Sequence, residues 1–341
     1  MKKLLAMLLA LVIVLGCSVA ALAENDPLEV VFVCIDMQGA FWVEMMKGAE
    51  VAASDYGVNL QFRSGESSLE KQISIIENLV LQGVDAIIVD PLDAEGIKPA
   101  LQVAGDAGIP IVTAGNNIDT EWNWCTIYND VYDLGCITDA VCSMIGGEGK
   151  VACVVGAPGS AVSDARQKGF EDAVAKYPDI TSFVLPSNWD ATVAQQMVTD
   201  LLAAEPDLNA VICADAIAYQ VHQAAEAAGH PELIVTSLAA MDENLPGVED
   251  GTYLLDLLMG PQRIGYWNVA VAIQLAQGAE LDQKLYLPTA IIANDENAEQ
   301  MRGFGFDFNI VTVEEAEGVL HSFAAEFGPD AFDAEALKPA T

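Results

Sequence analysis

The chain has 341 residues, of which 52% are hydrophobic, so it can bury a substantial core and we expect two lobes. Its formal net charge is −36. Such an acidic surface repels phosphates and anionic lipid headgroups, which excludes nucleic acid and anionic membrane surfaces as favoured partners.

The first residues are typical of an export signal. Two lysines precede an apolar run over residues 4–15, and Ala-Leu-Ala at 21–23 is a small-residue cleavage site. Residues 1–23 are therefore predicted to be a signal peptide, and the mature protein is predicted to lie outside the cytoplasm, in the periplasm or at the cell surface. A second interpretation stays open, because the stretch VLGC resembles a lipobox in which Cys17 would carry a lipid anchor.

The main part of the chain alternates short apolar runs with longer segments of helical period. The runs are LEVVFVCI, VDAIIV, GIPIVTA, KVACVVG, NAVICA and ELIVTS. Continuous apolar strands indicate burial on both faces, as in a parallel sheet covered by helices. We therefore predict a doubly wound α/β fold. This alternation of strand and helix patterns occurs once up to about Ile127 and again from near Lys150, which predicts two similar lobes with a cleft between them.

Three aromatic residues follow predicted strands, at the edge where ligands bind in such sheets. Phe41 and Trp42 come at the start of the helix after the first strand, and Trp189 precedes a helix with apolar residues at four-residue spacing, namely Val193, Met197 and Leu201. Flat rings that cover the apolar face of a sugar are a common way to hold a polyhydroxylated ligand. The alternative is that these rings pack into the core near the helix starts.

Several segments resemble the ribose- and galactose-type periplasmic binding proteins, the extracytoplasmic receptors of sugar ABC transporters. They are FWVEMMKGAEVAASDYGVNL, QISIIENLVLQGVDAIIVDPLDAEGIKPALQVAGDAGIPIVT, ARQKGFEDAVAKYPDI and LPSNWDATVAQQMVTDLLAAEPDLNAVICA. The resemblance covers residues 28–288 and implies two Rossmann-like lobes joined by three hinge strands, the type I fold. It implies a first lobe of residues 28–128 plus 260–287 and a second lobe of residues 129–259 plus 288–341.

The resemblance also implies ligand contacts. The cleft aromatics of the family fall on Phe41, Trp42 and Trp189, and the arginine before "GF" falls on Arg166. Asp215 stands at the place of a family Asn-Asp pair, and here two roles stay open: it faces the ligand, or it caps the following helix.

Other family positions differ in this chain. An Asp-Arg pair is replaced by Gly115 and Asn116, a cleft aspartate by Leu238, and a hinge glutamine by Met259. Lost hydrogen-bonding groups should match lost ligand hydroxyls, which leaves the sugar unidentified. Asn116 and Met259 complete the set of predicted ligand contacts.

Enzymatic, metal and cofactor functions find no support in the sequence. The chain has no G-x-G-x-x-G after the first strand, no G-x-x-x-x-G-K-[ST] and no G-x-S-x-G. The seven cysteines form no C-x-x-C pair and no zinc-type spacing with histidine, and Cys34, Cys153 and Cys213 lie in apolar runs. We expect buried free thiols, no metal, no cofactor and no catalytic residue.

The C-terminal residues 294–341 continue beyond the resemblance. Thr312 and Glu315 have the spacing of a capping box, and Val319, Phe323 and Phe327 form one apolar stripe. This pattern predicts an additional helix on the second lobe, with a docking element for a partner as the alternative.

Together these patterns predict a monomeric solute-binding protein that closes on a small neutral, sugar-like ligand and delivers it to the permease of an ABC importer. The alternative is a sensory subunit that presents the ligand to a membrane kinase or chemoreceptor. A sugar-sensing repressor would need a basic surface and an N-terminal helix-turn-helix, whereas this chain has an acidic surface and an export signal.

Overall fold

The structure is a computed structural model that describes residues 27–115, 118–287 and 289–320. Its first lobe is built on a six-stranded sheet of order β11-β5-β4-β3-β1-β2, in which every pair is parallel. The strands are β1 (Glu29–Cys34), β2 (Asn59–Ser64), β3 (Ala86–Val89), β4 (Ile111–Thr113), β5 (Asn123–Ile127) and β11 (Lys284–Tyr286); the helices are α1 (Ala40–Tyr56), α2 (Leu69–Gln82) and α3 (Lys98–Asp106).

The second lobe contains a parallel four-stranded sheet of order β7-β6-β8-β9. Its strands are β6 (Glu148–Val155), β7 (Asp179–Pro186), β8 (Ala210–Cys213) and β9 (Ile234–Val235), and its helices are α4 (Asp130–Met144), α5 (Ala161–Val174), α6 (Ala191–Ala204), α7 (Ala218–Ala228) and α8 (Leu245–Glu249). The α/β class with parallel sheets is therefore confirmed.

A third, small sheet joins β10 (Asp256–Leu257), β12 (Ile291–Ala293) and β13 (Ile310–Thr312) in the order β10-β12-β13. The β10 and β12 strands run antiparallel, whereas β12 and β13 are parallel. The sheets are therefore not parallel throughout. The antiparallel pair arises where the chain leaves the second lobe and later returns to it.

Helix α9 (Pro261–Ala276) lies against α1 in the first lobe, and two glycines permit the close approach. A Cβ on Gly265 would overlap the carbonyl oxygen of Met45, and a Cβ on Gly48 would overlap that of Gln262. The Tyr266 hydroxyl also donates to Asp55 Oδ2 at 3.0 Å. After α9 the chain forms β11 beside β5, so a late segment completes the first sheet.

Two of the predicted apolar runs form strands that are buried throughout. Every residue of β3 and β8 is buried, and Ile88 and Ile212 have no exposed surface. The six cysteines within the described residues are free and buried, as expected. Burial raises the pKa of Cys34 and Cys125 to about 12, so these thiols are neutral at physiological pH.

The C-terminal capping box is present. Thr312 N donates to Glu315 Oε2 at 2.7 Å, and Glu315 N donates to Thr312 Oγ1 at 3.2 Å. It starts α11 (Val313–Leu320), which follows α10 (Asp295–Gly303) and β13. The side chains of the predicted stripe, from Val319 onward, lie outside the described residues. None of the helices in the described ranges combines the length and apolar character that a membrane-spanning segment requires.

Candidate functional site

Two aromatic residues lie at the carboxyl edge of the first sheet, in the first turn of α1. The helix begins at Ala40, directly after the extended N-cap Gly39. Phe41 is 38% exposed and meets the Trp42 ring edge to face, with centroids 6.3 Å apart. Trp42 is half-buried and packs against the core. The alternative that these rings pack into the core is therefore wrong for Phe41 and holds for only part of the Trp42 ring.

The Trp42 indole also holds a carboxylate that sequence analysis did not single out. Its Nε1 donates to Asp90 Oδ2 at 2.8 Å. Asp90 directly follows β3 and is only 6% exposed. Burial raises the pKa of Asp90 to about 7, and the hydrogen bond from Trp42 opposes that rise.

Trp189 lies at the corresponding edge of the second lobe, between β7 and α6. Its side chain is 39% exposed, and its backbone has φ +64°, a left-handed conformation unusual for a bulky residue. The ring covers Gly156, the residue that follows β6, where a Cβ would overlap the indole. Gly156 is therefore needed for the ring to lie flat on this strand end. The core alternative for Trp189 is wrong.

The apolar stripe of α6 is displaced by one residue from the predicted one. Its buried residues are Ala194, Val198 and Leu202, whereas Val193 is 38% exposed. Asp190, the N-cap residue, accepts hydrogen bonds from Thr192 N and Val193 N and so fixes where the helix begins. The small Ala194 faces the sheet, and the larger side chains beside it lie at the margin.

Arg166, on α5, is held by two groups of the second lobe. Its Nε donates to Asp130 Oδ1 at 2.7 Å, and its Nη1 donates to the carbonyl oxygen of Ala214 at 2.8 Å. The side chains of Arg166 and Asp130 are 12% and 7% exposed. Burial raises the pKa of Asp130, and the Arg166 guanidinium counteracts that rise. Arg166 is therefore bound within the fold by Asp130 and Ala214 and is not a solvated surface cation.

Asp215 lies close to this pair and does not cap a helix. Its Oδ1 accepts a hydrogen bond from Ala216 N at 2.8 Å, while α7 begins at Ala218 after Ile217, which provides no side-chain cap. Burial raises the pKa of Asp215, and Arg166 lowers it in part. The capping alternative is wrong, and the half-buried carboxylate remains a candidate ligand contact.

Met259 and Asn116 are the other two predicted ligand contacts. Met259 is 3% exposed and packs in the main core cluster. Its burial disfavours a ligand contact in this conformation, because a buried thioether has little surface to offer. Asn116 lies outside the described residues.

The arrangement is suited to binding a small molecule. In the first lobe the exposed Phe41 ring contacts Trp42, whose indole binds the Asp90 carboxylate, and the second lobe carries the exposed Trp189 ring and the Arg166 guanidinium. Within the described ranges no cluster of His, Cys, Asp and Glu could hold a metal ion. Rings and buried polar groups of this kind recognise molecules with an apolar face and a polar rim.

Comparison with known proteins identifies the family of the chain. Residues 30–280 match the family model described as "Periplasmic binding protein domain". The chain is 29% identical over 256 residues to a putative rhizopine-binding protein of Rhizobium meliloti. This match covers 71% of this chain and 82% of the relative. The chain is 25% identical over 286 residues to the ribose import binding protein of Salmonella typhimurium, and this match covers 83% of this chain and 96% of the relative.

Among solved structures, a periplasmic solute-binding protein of an ABC transporter from Actinobacillus succinogenes, with bound D-allose, superposes with a TM-score of 0.74 at 23% identity. The match covers 80% of this chain and 99% of that one. This likeness shows the type I fold with two lobes, as predicted. Since the family model matches most of the chain, the protein belongs to the periplasmic binding protein domain family, whose members bind solutes and are not enzymes.

Proposed function

We propose that this protein captures a sugar or related polyol between its two lobes, outside the cytoplasm, and delivers it to an ABC importer. One observation carries the proposal: the Trp189 ring is 39% exposed, although it is large and apolar, and it lies flat on Gly156 at the carboxyl edge of its sheet. An exposed ring held at a strand edge is suited to cover the apolar face of a sugar ring.

Phe41 and Trp42 provide the opposing rings from the first lobe, and Arg166 and Asp215 provide polar contacts from the second. The relatives support the same class of ligand, because their names specify ribose and rhizopine, and the superposed structure contains D-allose. Asn116 and Met259 complete the proposed contact set, with Met259 gaining access only if the lobes move.

The proposal includes a division of the chain. The first lobe comprises residues 28–128 plus 260–287, and the second comprises residues 129–259 plus 288–341. The pairing of β11 with β5 and the packing of α9 on α1 support this division, as does the pairing of β12 with β10. The protein acts as a monomer, and its membrane partner is the permease. Export follows cleavage after Ala23, with lipidation at Cys17 as the alternative.

The proposal is tested with purified mature protein by native mass spectrometry and then by calorimetry. Native spectra are expected to show a protein carrying one small molecule of sugar-like mass. Calorimetric titration with D-ribose, D-allose and myo-inositol is expected to show single-site binding of at least one of them. A protein that carries no small molecule and binds none of the three contradicts the proposal.

A further inference from the structure

Asp90 is a buried carboxylate at the carboxyl edge of the first sheet, and its environment is unusual for a charged group. Within the described residues its side chain is held by the Trp42 indole, and no lysine, arginine or histidine forms an ion pair with it. A buried carboxylate without a cation is costly unless hydrogen-bond donors surround it. A second donor would therefore stabilise the charged form of Asp90.

The backbone around Asp90 is fixed on both sides. Asp90 N donates to the carbonyl oxygen of Val33 at 2.9 Å, and the buried Gln72 donates through Nε2 to the Asp90 carbonyl at 2.6 Å. The same Gln72 accepts from Leu92 N at 2.9 Å. The carboxylate is thus held in place by a rigid strand end, which lowers the entropic cost of binding a partner there.

The second carboxylate oxygen points toward the end of the neighbouring strand. Gly115 follows β4 with φ +76°, and a Cβ on it would lie 2.6 Å from Asp90 Oδ1. The carboxylate of one strand therefore fills the volume that a side chain at the end of the next strand would occupy. Glycine at position 115 serves both the left-handed backbone and this close approach.

We propose that Asp90 determines ligand specificity in the first lobe: oriented by the Trp42 indole and by the space at Gly115, its carboxylate accepts a hydrogen bond from a hydroxyl or ammonium group of the bound polyol. This inference rests on the proposed function. The ring of Trp42 then covers the apolar face of the ligand while its Nε1 holds the carboxylate beside the polar edge. The raised pKa of Asp90 is consistent with a site whose donor arrives with the ligand.

The test compares Asp90→Asn with wild type by calorimetry, using D-ribose, D-allose and myo-inositol as neutral probes and D-glucosamine as an ammonium probe. Asparagine keeps the side-chain size but loses the charge and one acceptor, so affinity for the tightest probe is expected to fall by about 10- to 150-fold. The matched control is Asp106→Asn, which removes the same charge from an exposed site at the end of α3, near the opposite edge of the sheet. It is expected to bind like wild type.

The probes distinguish the two kinds of donor. An ammonium donor predicts that D-glucosamine binds wild type more tightly than the neutral probes and loses that preference in Asp90→Asn. A hydroxyl donor predicts that a neutral probe binds most tightly and is weakened by the substitution. Asp90→Asn with wild-type affinity for the tightest probe overturns the inference but leaves the proposed function intact. Wild type that binds no probe contradicts both.

A second variant tests the positioning role of Trp42. Trp42→Phe keeps an aromatic ring and removes the donor to Asp90 Oδ2. It is expected to weaken binding about 5- to 20-fold in the wild-type background and less in the Asp90→Asn background, because the two residues act through one contact. Equal effects in both backgrounds would mean that the indole N–H does not orient the carboxylate. Cooperative thermal unfolding of each variant verifies that the fold is retained.

Discussion

Arg166 and Asp130 form a largely buried ion pair, with Nε and Oδ1 2.7 Å apart, that connects α5 to the start of α4. The same guanidinium donates to the carbonyl of Ala214, directly after β8. One side chain thus ties two helices and a strand end at the carboxyl edge of the second sheet. A ligand contact from Arg166 would use a group that the fold already holds in position.

Replacing Arg166 is therefore expected to affect both stability and binding. Arg166→Ala leaves the Asp130 carboxylate buried without its cation, which should cost about 3–5 kcal/mol in the free energy of unfolding. Arg166→Lys should retain part of that stability, yet weaken ligand binding by about 10- to 150-fold, because a point charge cannot donate in a planar fork. Urea unfolding and calorimetry measure the two effects separately.

Lys168→Ala is the control for this pair of variants. It removes a positive charge from the same helix, but Lys168 is exposed and pairs with Asp172 on the surface. It should leave affinity unchanged and alter stability by at most about 1 kcal/mol. Arg166→Lys with wild-type affinity would assign this arginine a structural role only.

Trp189→Ala should weaken ligand binding by about 1–3 kcal/mol through lost stacking and apolar burial. The ring is already 39% exposed, so the free energy of unfolding should change little. Trp189→Phe keeps a flat ring and should recover most of the affinity. Calorimetry and thermal unfolding decide between binding and packing: a large loss of stability with unchanged affinity would contradict the proposed role.

The unliganded protein should lose stability as the pH rises from about 4 to about 7. Burial raises the pKa of Asp90 from 3.8 to about 7, so in this range the unfolded chain has released a proton that the folded protein retains. This loss in the free energy of unfolding is absent below pH 3.8 and complete above pH 7, where it amounts to about 4 kcal/mol. Asp256, with its pKa raised to about 6, acts in the same direction.

Urea unfolding of wild type and Asp90→Asn between pH 4.5 and about 8 tests whether Asp90 causes this loss of stability. The Cys34 thiol near Asp90 has a pKa of about 12 and stays neutral throughout, so the difference between the two proteins isolates Asp90. The variant should show the weaker pH dependence. Parallel profiles for the two proteins would mean that Asp90 is ionised in the folded state at acid pH.

Thr312→Ala should lower the free energy of unfolding by about 1 kcal/mol, because Glu315 N loses its hydrogen-bond acceptor at the start of α11. None of the proposed ligand contacts is on this helix, so ligand affinity should be unchanged. Thr312→Ser keeps the hydroxyl and is the control. A loss of affinity in Thr312→Ala would mean that this helix affects the cleft.

Much of the fold could be predicted from the sequence, because buried parallel strands require continuous apolar runs and the helices between them follow a regular period. Trp189 could be predicted for a similar reason, since a bulky aromatic between a strand and a helix is conspicuous. The buried stripe of α6 lies one residue beyond Val193, Met197 and Leu201, because the helix that starts after the Asp190 cap turns Ala194, Val198 and Leu202 inward.

The polar half of the site could not be predicted in the same way. The chain has 50 acidic residues, and Asp90 and Asp130 look like any others in the sequence. Their burial depends on partners 48 and 36 positions away, which only the tertiary structure brings together. Only the position of Asp90 in the sequence could have indicated its role, because it directly follows a strand buried throughout, at the edge where parallel sheets bind ligands.

The central claim is that the two lobes close on a small polyhydroxylated ligand. Small-angle X-ray scattering measures it most directly, on ligand-free protein and on protein saturated with the tightest-binding probe. Closure predicts a smaller radius of gyration with ligand, together with a shift of tryptophan emission as Trp42 and Trp189 lose contact with water. A saturated protein whose radius of gyration and emission both match those of the ligand-free protein would contradict the account.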